Sequence, residues 1–238
     1  TNDASGTGIG TIDSAGSVST DAGFSITKFT ADGNNLTAAH GLGVAPTMII
    51  TKNLSISKQW SVYHSSLGAG KAIFLNVTDV ADTDNTYWNN TAPTSTTLSY
   101  GTWSGNNNGN EIIAYCFAEK KGYSKFGSYT GNGNADGTFV YTGQKSAFIM
   151  IKASSRVGTW NMYDVKRSTF NNVDDFITAN TPDAETTGNT YQNIDILSNG
   201  FKCRGTGTGT NESGSTYIYM AFAENPFVTS TGVPATAR

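Results

Sequence analysis

The feature that most constrains this sequence is a pattern that occurs twice, about one hundred residues apart. The first copy, at residues 47–63, reads TMIITKNLSISKQWSVY, and the second, at 147–163, reads AFIMIKASSRVGTWNMY. In each copy an apolar run ends in lysine, and a polar stretch leads to a tryptophan and, three residues later, a tyrosine. Self-similarity at a fixed offset indicates a repeated structural unit. We therefore predict a chain built from two similar units.

Each copy of the pattern predicts a β-hairpin. The apolar runs at 48–50 and 148–151 are apolar on both alternating faces, which is typical of strands that are covered on both sides. The returning strand alternates, so that Trp60 and Val62 share one face and Tyr63 lies on the other. The polar stretch between the two strands has a suitable length for a connecting loop.

The composition indicates the fold class. The 238 residues include 27 glycines and only 14% charged residues, and short aromatic or β-branched runs alternate with clusters of Gly, Asn and Asp. These features disfavour helices and are typical of an all-β sandwich. We predict two tandem, similar β-sandwich units of the jelly-roll or lectin-like kind, related by the internal repeat. The predicted segments are a linker or extended N-terminal segment (1–22), a first β repeat (23–122), a second β repeat (123–227) and a C-terminal tail (228–238).

Charge, hydropathy and cysteine content exclude several classes of protein. The formal net charge is −3 and basic residues do not cluster, which argues against nucleic-acid binding. No apolar run approaches the roughly 20 residues that span a bilayer, so membrane insertion is not expected. The two cysteines lie at non-equivalent positions of the two repeats. Cys116 falls in an apolar strand and is predicted to be a small buried residue, while a disulfide bond to Cys203 stays open.

The sequence does not indicate a catalytic site. His40 and His64 are its two histidines, and no partner for a Ser-His-Asp arrangement is signalled near them in sequence. Glu119 and Glu224 end equivalent strands and could form a glycosidase pair, but we interpret each as closing its own repeat. A glycan hydrolase is therefore the third hypothesis, and we expect a protein that is not an enzyme.

One loop carries three carboxylates within six residues, at Asp79, Asp82 and Asp84. Calcium binds oxygen-rich loops of this kind, but the loop lacks the glycine and the distal glutamate of an EF-hand. A solvated acidic turn is the preferred interpretation, with Ca²⁺ as the alternative. No other cofactor is expected.

Comparison of the repeats separates the tryptophans into two classes. Trp60 and Trp160 are equivalent and are predicted to lie in the core. Trp88 aligns with Gln192 and Trp103 aligns with a Gly/Thr stretch, so we expect both rings to be exposed. Exposed rings flanked by amides are typical of sugar-binding surfaces. The predicted glycan-contact residues are Trp88, Asn89, Asn90, Trp103, Asn106, Asn107 and Asn108. The alternative is that the two rings pack against the sister repeat or a neighbouring subunit.

Several long segments carry a resemblance to a known group of proteins. They are HGLGVAPTMIITKN, WNNTAPTST, AYCFAEKKGYSKFGSYTGNG, LSNGFKCRG and TYIYMAFAENPF. They resemble a repeated β domain of virion proteins from marine tailed bacteriophages, often found at the C-terminal end of tail-fibre proteins beside lectin-like sandwich domains. The resemblance covers about residues 23–238 and brings no assigned catalytic or binding residues.

The resemblance implies a function and partners. We expect a non-enzymatic virion structural protein, a tail-fibre or surface-fibre domain that contributes to host attachment through a host-surface glycan. The alternative is a purely architectural decoration or assembly domain of the virion. Fibre proteins of this kind assemble about the fibre axis, so a homo-oligomer, with a trimer favoured, and contacts with other virion proteins are expected.

Overall fold

The computed structural model describes residues 1–103 and 105–225. The chain divides into two compact units. Unit 1 comprises Thr1–Leu75 and Ala81–Glu119, and unit 2 comprises Asn76–Val80 and the described residues from Lys120 to Asn225. The predicted tail, 228–238, and the last residues of the second repeat lie outside the described residues.

Unit 1 is built on a seven-stranded antiparallel sheet. Its described elements are α1 (Ala4–Thr7), β1 (Ser14–Ser19), β2 (Phe24–Thr30), β3 (Leu36–Ala39), β4 (Met48–Asn53), β5 (Ser61–His64), β6 (Lys71–Phe74), β7 (Asp82–Thr83), β8 (Thr97–Tyr100) and β9 (Glu111–Phe117). The large sheet has the order β1-β2-β9-β4-β5-β6-β7, and β3 pairs with β8 in a second, two-stranded sheet. The apolar strand β4 is almost wholly buried, as its sequence predicts.

The first residues of the chain belong to unit 1. The short helix α1 begins after Asp3, whose carboxylate accepts a hydrogen bond from Gly6 N at 3.0 Å, and ends at Gly8 in the left-handed region. β1 then pairs along its whole length with β2 and forms the edge of the sheet. The predicted extended segment at 1–22 is therefore partly a strand of the unit.

Unit 2 contains two antiparallel sheets. Its described strands are β10 (Ser124–Thr130), β11 (Phe139–Tyr141), β12 (Ser146–Ala153), β13 (Trp160–Asp164), β14 (Ile177–Thr178), β15 (Ile194–Leu197), β16 (Gly200–Cys203) and β17 (Thr216–Ala223). Five strands form one sheet in the order β10-β17-β12-β13-β14, and three form the other in the order β11-β16-β15. Among the described residues, no helix is long and apolar enough to cross a membrane.

The two sheets of unit 2 enclose one hydrophobic core. Ile149 and Ile151 from the five-stranded sheet and Ile194 and Phe201 from the three-stranded sheet belong to the same buried cluster. The longer strands contribute alternate residues to it, because successive side chains point to opposite faces. The all-β prediction is confirmed, and the layered packing is that of a sandwich.

Four strands of each unit follow a common order. In unit 1 they are β2-β9-β4-β5, and in unit 2 they are β10-β17-β12-β13. These are the strands that the repeated sequence pairs with one another. Common descent of the two units stays a hypothesis that this order favours.

Two predicted core features differ in burial. Trp160 is buried, as predicted, whereas the equivalent Trp60 is only partly buried and stacks on Tyr115 with ring centroids 6.3 Å apart.

Cys116 and Cys203 are both free and buried. Burial raises the pKa of each thiol to about 12. The open question of a disulfide bond is thus answered in favour of two inert thiols.

The segment Asn76–Val80 is held in unit 2 by a buried lysine. Lys152 is fully buried, and its Nζ donates to the carbonyl oxygens of Thr78 at 3.3 Å, Asp79 at 2.9 Å and Ala153 at 2.7 Å. Three acceptors satisfy the three protons of the ammonium group. Desolvation by burial nevertheless lowers the pKa of Lys152 to about 8, partly offset by the charge of Asp79.

Candidate functional site

The two tryptophans predicted to be exposed lie in the core of unit 1. Trp88 is 2% exposed and Trp103 is 9% exposed. Trp88 Nε1 donates to Lys71 O at 2.9 Å, and its ring meets Tyr63 edge-on with centroids 5.9 Å apart. Trp103 packs in the same way on Tyr100 at 6.1 Å. The expectation that both rings are exposed is therefore wrong, and neither ring offers a surface for sugar contact.

The alignment with Gln192 misled because the aligned tyrosines pack on different aromatic residues in the two units. Tyr63 packs on Trp88 in unit 1, whereas the equivalent Tyr163 packs on Phe176 at 5.4 Å in unit 2. Gln192 accepts a hydrogen bond from Asn161 Nδ2 at 2.7 Å through its side chain. A polar residue in one unit thus gave no information about exposure in the other.

The predicted asparagines divide into buried and exposed groups. Asn106 is buried, and its Nδ2 donates to Asn34 O at 2.7 Å and Gly101 O at 2.6 Å. Its side chain joins two turns, so a role in sugar contact is wrong for this residue. Exposed positions are found at Asn89, Asn90, Asn107 and Asn108. Asn89 and Asn90 have φ values of 50° and 44°, a backbone conformation that asparagine tolerates.

The acidic loop does not assemble a metal site. Asp79 lies in the part of the loop that belongs to unit 2, whereas Asp82 and Asp84 belong to unit 1. Asp84 accepts a hydrogen bond from Thr86 N at 2.8 Å, and this bond lowers the pKa of the carboxyl. In residues 1–103 and 105–225, no group of three or more His, Cys, Asp or Glu side chains is placed to hold a metal ion.

Both histidines form hydrogen bonds with backbone groups of nearby loops. His40 is buried, its Nδ1 accepts from Leu42 N at 3.2 Å, and its Nε2 is 3.1 Å from Thr94 O. With Nδ1 as acceptor, Nε2 carries the proton and donates it. Burial lowers the pKa of His40 and favours this neutral form. His64 Nδ1 similarly accepts from Ser66 N at 3.2 Å.

A cluster of exposed aromatic residues lies instead on unit 2. β11 carries Phe139 and Tyr141, which are 45% and 64% exposed and, two residues apart, point to the same face of the sheet. We call the outer face of the three-stranded sheet the aromatic platform. Cross-strand register assigns it six residues: Phe139, Lys202, Asp195, Tyr141, Gly200 and Leu197.

A glycine lies next to the Phe139 ring on the neighbouring strand. Gly200, opposite Tyr141 on β16, is buried. A Cβ at this position would come within 2.1 Å of Val140 O and 3.2 Å of the Phe139 ring. This close approach of the backbone requires glycine.

Charged groups border the platform in fixed ion pairs. Lys202 Nζ contacts the carboxylate of Asp136, and Arg204 Nε lies 3.2 Å from Asp195 Oδ2 and its Nη1 3.7 Å from Asp136 Oδ1. The hydrogen bond and charge of Lys202, followed by the charge of Arg204, lower the pKa of Asp136. Exposed pairs of this kind add little stability. They place the donors of Lys202 and Arg204 and the acceptor oxygens of Asp195 beside the rings.

The platform rests on a rigid support. Val140, Ile196 and Phe201 lie on the inner face of the same three strands and are buried in the core of unit 2. The rings are therefore carried by a packed sheet and not by a loop. In the sequence, Phe139 and Tyr141 alternate with a valine. This pattern indicates exposed rings only once the strand is known to lie at a sheet edge.

Comparison with known proteins identifies a family. A family model described as a domain of unknown function (DUF7483) matches residues 1–226. No curated protein and no solved structure matches the chain. Because the match spans both units and nearly the whole sequence, the chain belongs to the DUF7483 family.

Proposed function

We propose that this chain is a non-enzymatic domain of a bacteriophage virion, part of a tail fibre or surface fibre, that contributes to host attachment by binding a host-surface glycan. One observation carries the proposal: two exposed aromatic side chains, Phe139 and Tyr141, share the outer face of a sheet with charged groups that form ion pairs. The resemblance of the sequence to virion proteins supports the setting.

The chemistry of the platform suits a sugar. The C–H faces of a pyranose pack on an aromatic ring, and its hydroxyl groups exchange hydrogen bonds with carboxylates and cationic groups. Phe139 and Tyr141 supply the rings, and Asp195, Lys202 and Arg204 supply the polar groups. Large exposed rings carry a solvent cost that a binding partner removes.

The second candidate is an architectural domain that contacts other virion proteins or copies of itself. The same exposed rings favour it, because aromatic residues are also enriched in protein interfaces. In either case we propose a homo-oligomer in the virion; the expected trimer stays a prediction. Glycan recognition is preferred because carboxylate and cationic side chains lie in ion pairs beside the rings.

A glycan array and an adsorption assay with host cells test the proposal together. The full chain should bind a defined set of glycans, and a variant with Phe139→Ala and Tyr141→Ala should lose at least about tenfold in affinity, since stacked rings dominate such contacts. Tyr191→Ala is the matched control, because Tyr191 is 70% exposed and lies outside the strands of unit 2.

The results separate the two candidates. Loss of binding in the double variant, with Tyr191→Ala unchanged, supports a glycan site at the platform. If a folded double variant adsorbs to cells like the unmodified protein, the glycan site is excluded and the architectural function is favoured.

A further inference from the structure

The strand that carries the two exposed rings is also an open edge. β11 is the terminal strand of the order β11-β16-β15 and pairs with β16 alone among the described strands. An edge strand presents N–H and C=O groups that a further strand can pair with. The direction of each backbone group on β11 therefore decides what the edge can bind.

The hydrogen bonds to β16 identify the groups that face outward. Cys203 N donates to Thr138 O at 3.0 Å, and Thr142 N donates to Asn199 O at 3.0 Å. Thr138 and Thr142 thus face β16, and in an antiparallel ladder every second residue does the same. Val140 faces β16 as well, so the N–H and C=O groups of Phe139 and Tyr141 point to the open edge.

The opposite edge of the same sheet is closed. Asn171 Oδ1 accepts from Ile196 N at 2.9 Å, and its Nδ2 donates to Ile196 O at 3.0 Å, so one side chain satisfies both groups of a β15 residue. Val173 exchanges two further backbone bonds with Ile194. Within residues 1–103 and 105–225, no backbone or side-chain cover of this kind is found on β11, and the strand itself contains no proline or charged residue of the kind that protects exposed edges.

The edge is complementary to itself. If a second copy pairs antiparallel about a two-fold axis at Val140, Phe139 of each copy lies opposite Tyr141 of the other. Both residues point outward, so each opposed pair exchanges two backbone hydrogen bonds. The rings of each pair become cross-strand neighbours on the same face, an arrangement that stabilises sheets.

We propose that β11 is the site at which a second copy of this chain docks, by antiparallel pairing of the two edges. The two three-stranded sheets then form one continuous sheet, and the two aromatic platforms join into a surface with four rings. A pair of exposed three-residue strands gives a small contact, so we expect association that depends on concentration. Its effect on glycan binding rests on the proposed function; the docking itself does not.

Analytical ultracentrifugation of the full chain, without glycan, across a dilution series tests the docking. A mass that rises from 25.1 kDa toward twice that value is expected. A variant with Phe139→Lys and Tyr141→Lys should stay monomeric, because the register opposes lysines at both pairs. The matched variant with Phe139→Lys and Tyr141→Glu should still dimerise, because each lysine then faces a glutamate.

Comparison of the two variants tests whether position 139 of one copy faces position 141 of the other, because both variants lose the two rings and differ only in the charge at position 141. Both change the same exposed positions, and thermal unfolding checks that both remain folded. Dimerisation of the Lys/Glu variant and not of the Lys/Lys variant supports the proposal. A monomer at every concentration, a trimer, or equal association of both variants overturns it. A dimer that binds no glycan leaves the docking standing and contradicts only the proposed function.

Discussion

The two units differ in where they place aromatic side chains. Among the described residues, the large apolar side chains that unit 1 exposes are aliphatic: Ile9, Val18, Val44 and Leu54. Those that unit 2 exposes include four aromatic residues: Phe139, Tyr141, Phe170 and Tyr191. Unit 1 instead packs Trp88, Tyr100 and Trp103 inside.

This difference distinguishes aromatic residues that pack in a core from aromatic residues that lie on the surface. Each unit keeps a buried asparagine that joins two turns, Asn106 in unit 1 and Asn211 in unit 2, and each keeps a buried tyrosine, Tyr63 or Tyr163. Packing explains the aromatic residues of unit 1. Packing does not explain the exposed rings of Phe139 and Tyr141 on unit 2, and the proposed binding function would account for these two.

The largest expected effect tests the buried side of the comparison. Trp88→Ala should destabilise unit 1 by about 3–5 kcal/mol, because it empties a packed volume and leaves Lys71 O without its donor. Denaturant unfolding of the full chain measures it. Phe170→Ala, at a side chain that is 82% exposed, is the control and should change stability by less than about 0.5 kcal/mol. Equal losses at both positions would break the comparison.

A pH dependence tests the buried lysine of unit 2. The folded pKa of Lys152 is about 8 and its ordinary value is 10.5, so between these values the unfolded chain binds more protons. Stability therefore rises as pH increases from 8 to 10.5, by up to about 3 kcal/mol from this group. Unfolding measured across this range should show a steeper rise than in Lys152→Met. If the free energy of unfolding changes with pH by the same amount in both proteins, the lowered pKa of Lys152 is contradicted.

The paired asparagines test what the units share. Asn211 Nδ2 donates to Asn134 O at 2.8 Å and Gly205 O at 2.9 Å, as Asn106 does in unit 1. Asn106→Ala and Asn211→Ala should each cost about 2 kcal/mol, since buried carbonyl groups lose their donors. Chemical denaturation gives both values, and Asn108→Ala, at an exposed position, is the control. If either substitution leaves the free energy of unfolding unchanged, the two asparagines do not have the same structural role, and the units differ in this feature as well.

The smallest expected effect concerns the platform. Tyr141→Ala should leave the free energy of unfolding within about 0.5 kcal/mol of the unmodified value, because the ring is 64% exposed. Phe201→Ala, on the neighbouring strand but facing the core, is the comparison and should cost about 3–5 kcal/mol. Thermal unfolding of the two variants side by side decides it. A large loss for Tyr141→Ala would mean that the ring is structural.

Much of the framework follows from the sequence. Alternating short runs with glycine-rich turns predict an all-β chain, and the apolar run at 48–50 predicts a buried strand, because burial on both faces leaves no room for polar side chains. The burial of Trp160 agrees with its alternation with an apolar neighbour, although the same pattern at Trp60 gives only partial burial. These features depend on local periodicity, which the sequence contains in full.

The locations of Trp88 and of the platform were decided by tertiary structure. Trp88 packs on Tyr63, whereas in unit 2 Tyr163 packs on Phe176, which does not align with Trp88, so alignment of the repeats could not predict the burial of Trp88. Tyr141 is exposed because β11 ends its sheet and carries the ring on the outer face. The sequence by itself determined which residues alternate along each strand. Which face is covered, and which strand lies at an edge, depends on contacts between distant segments, and only the folded chain determines those.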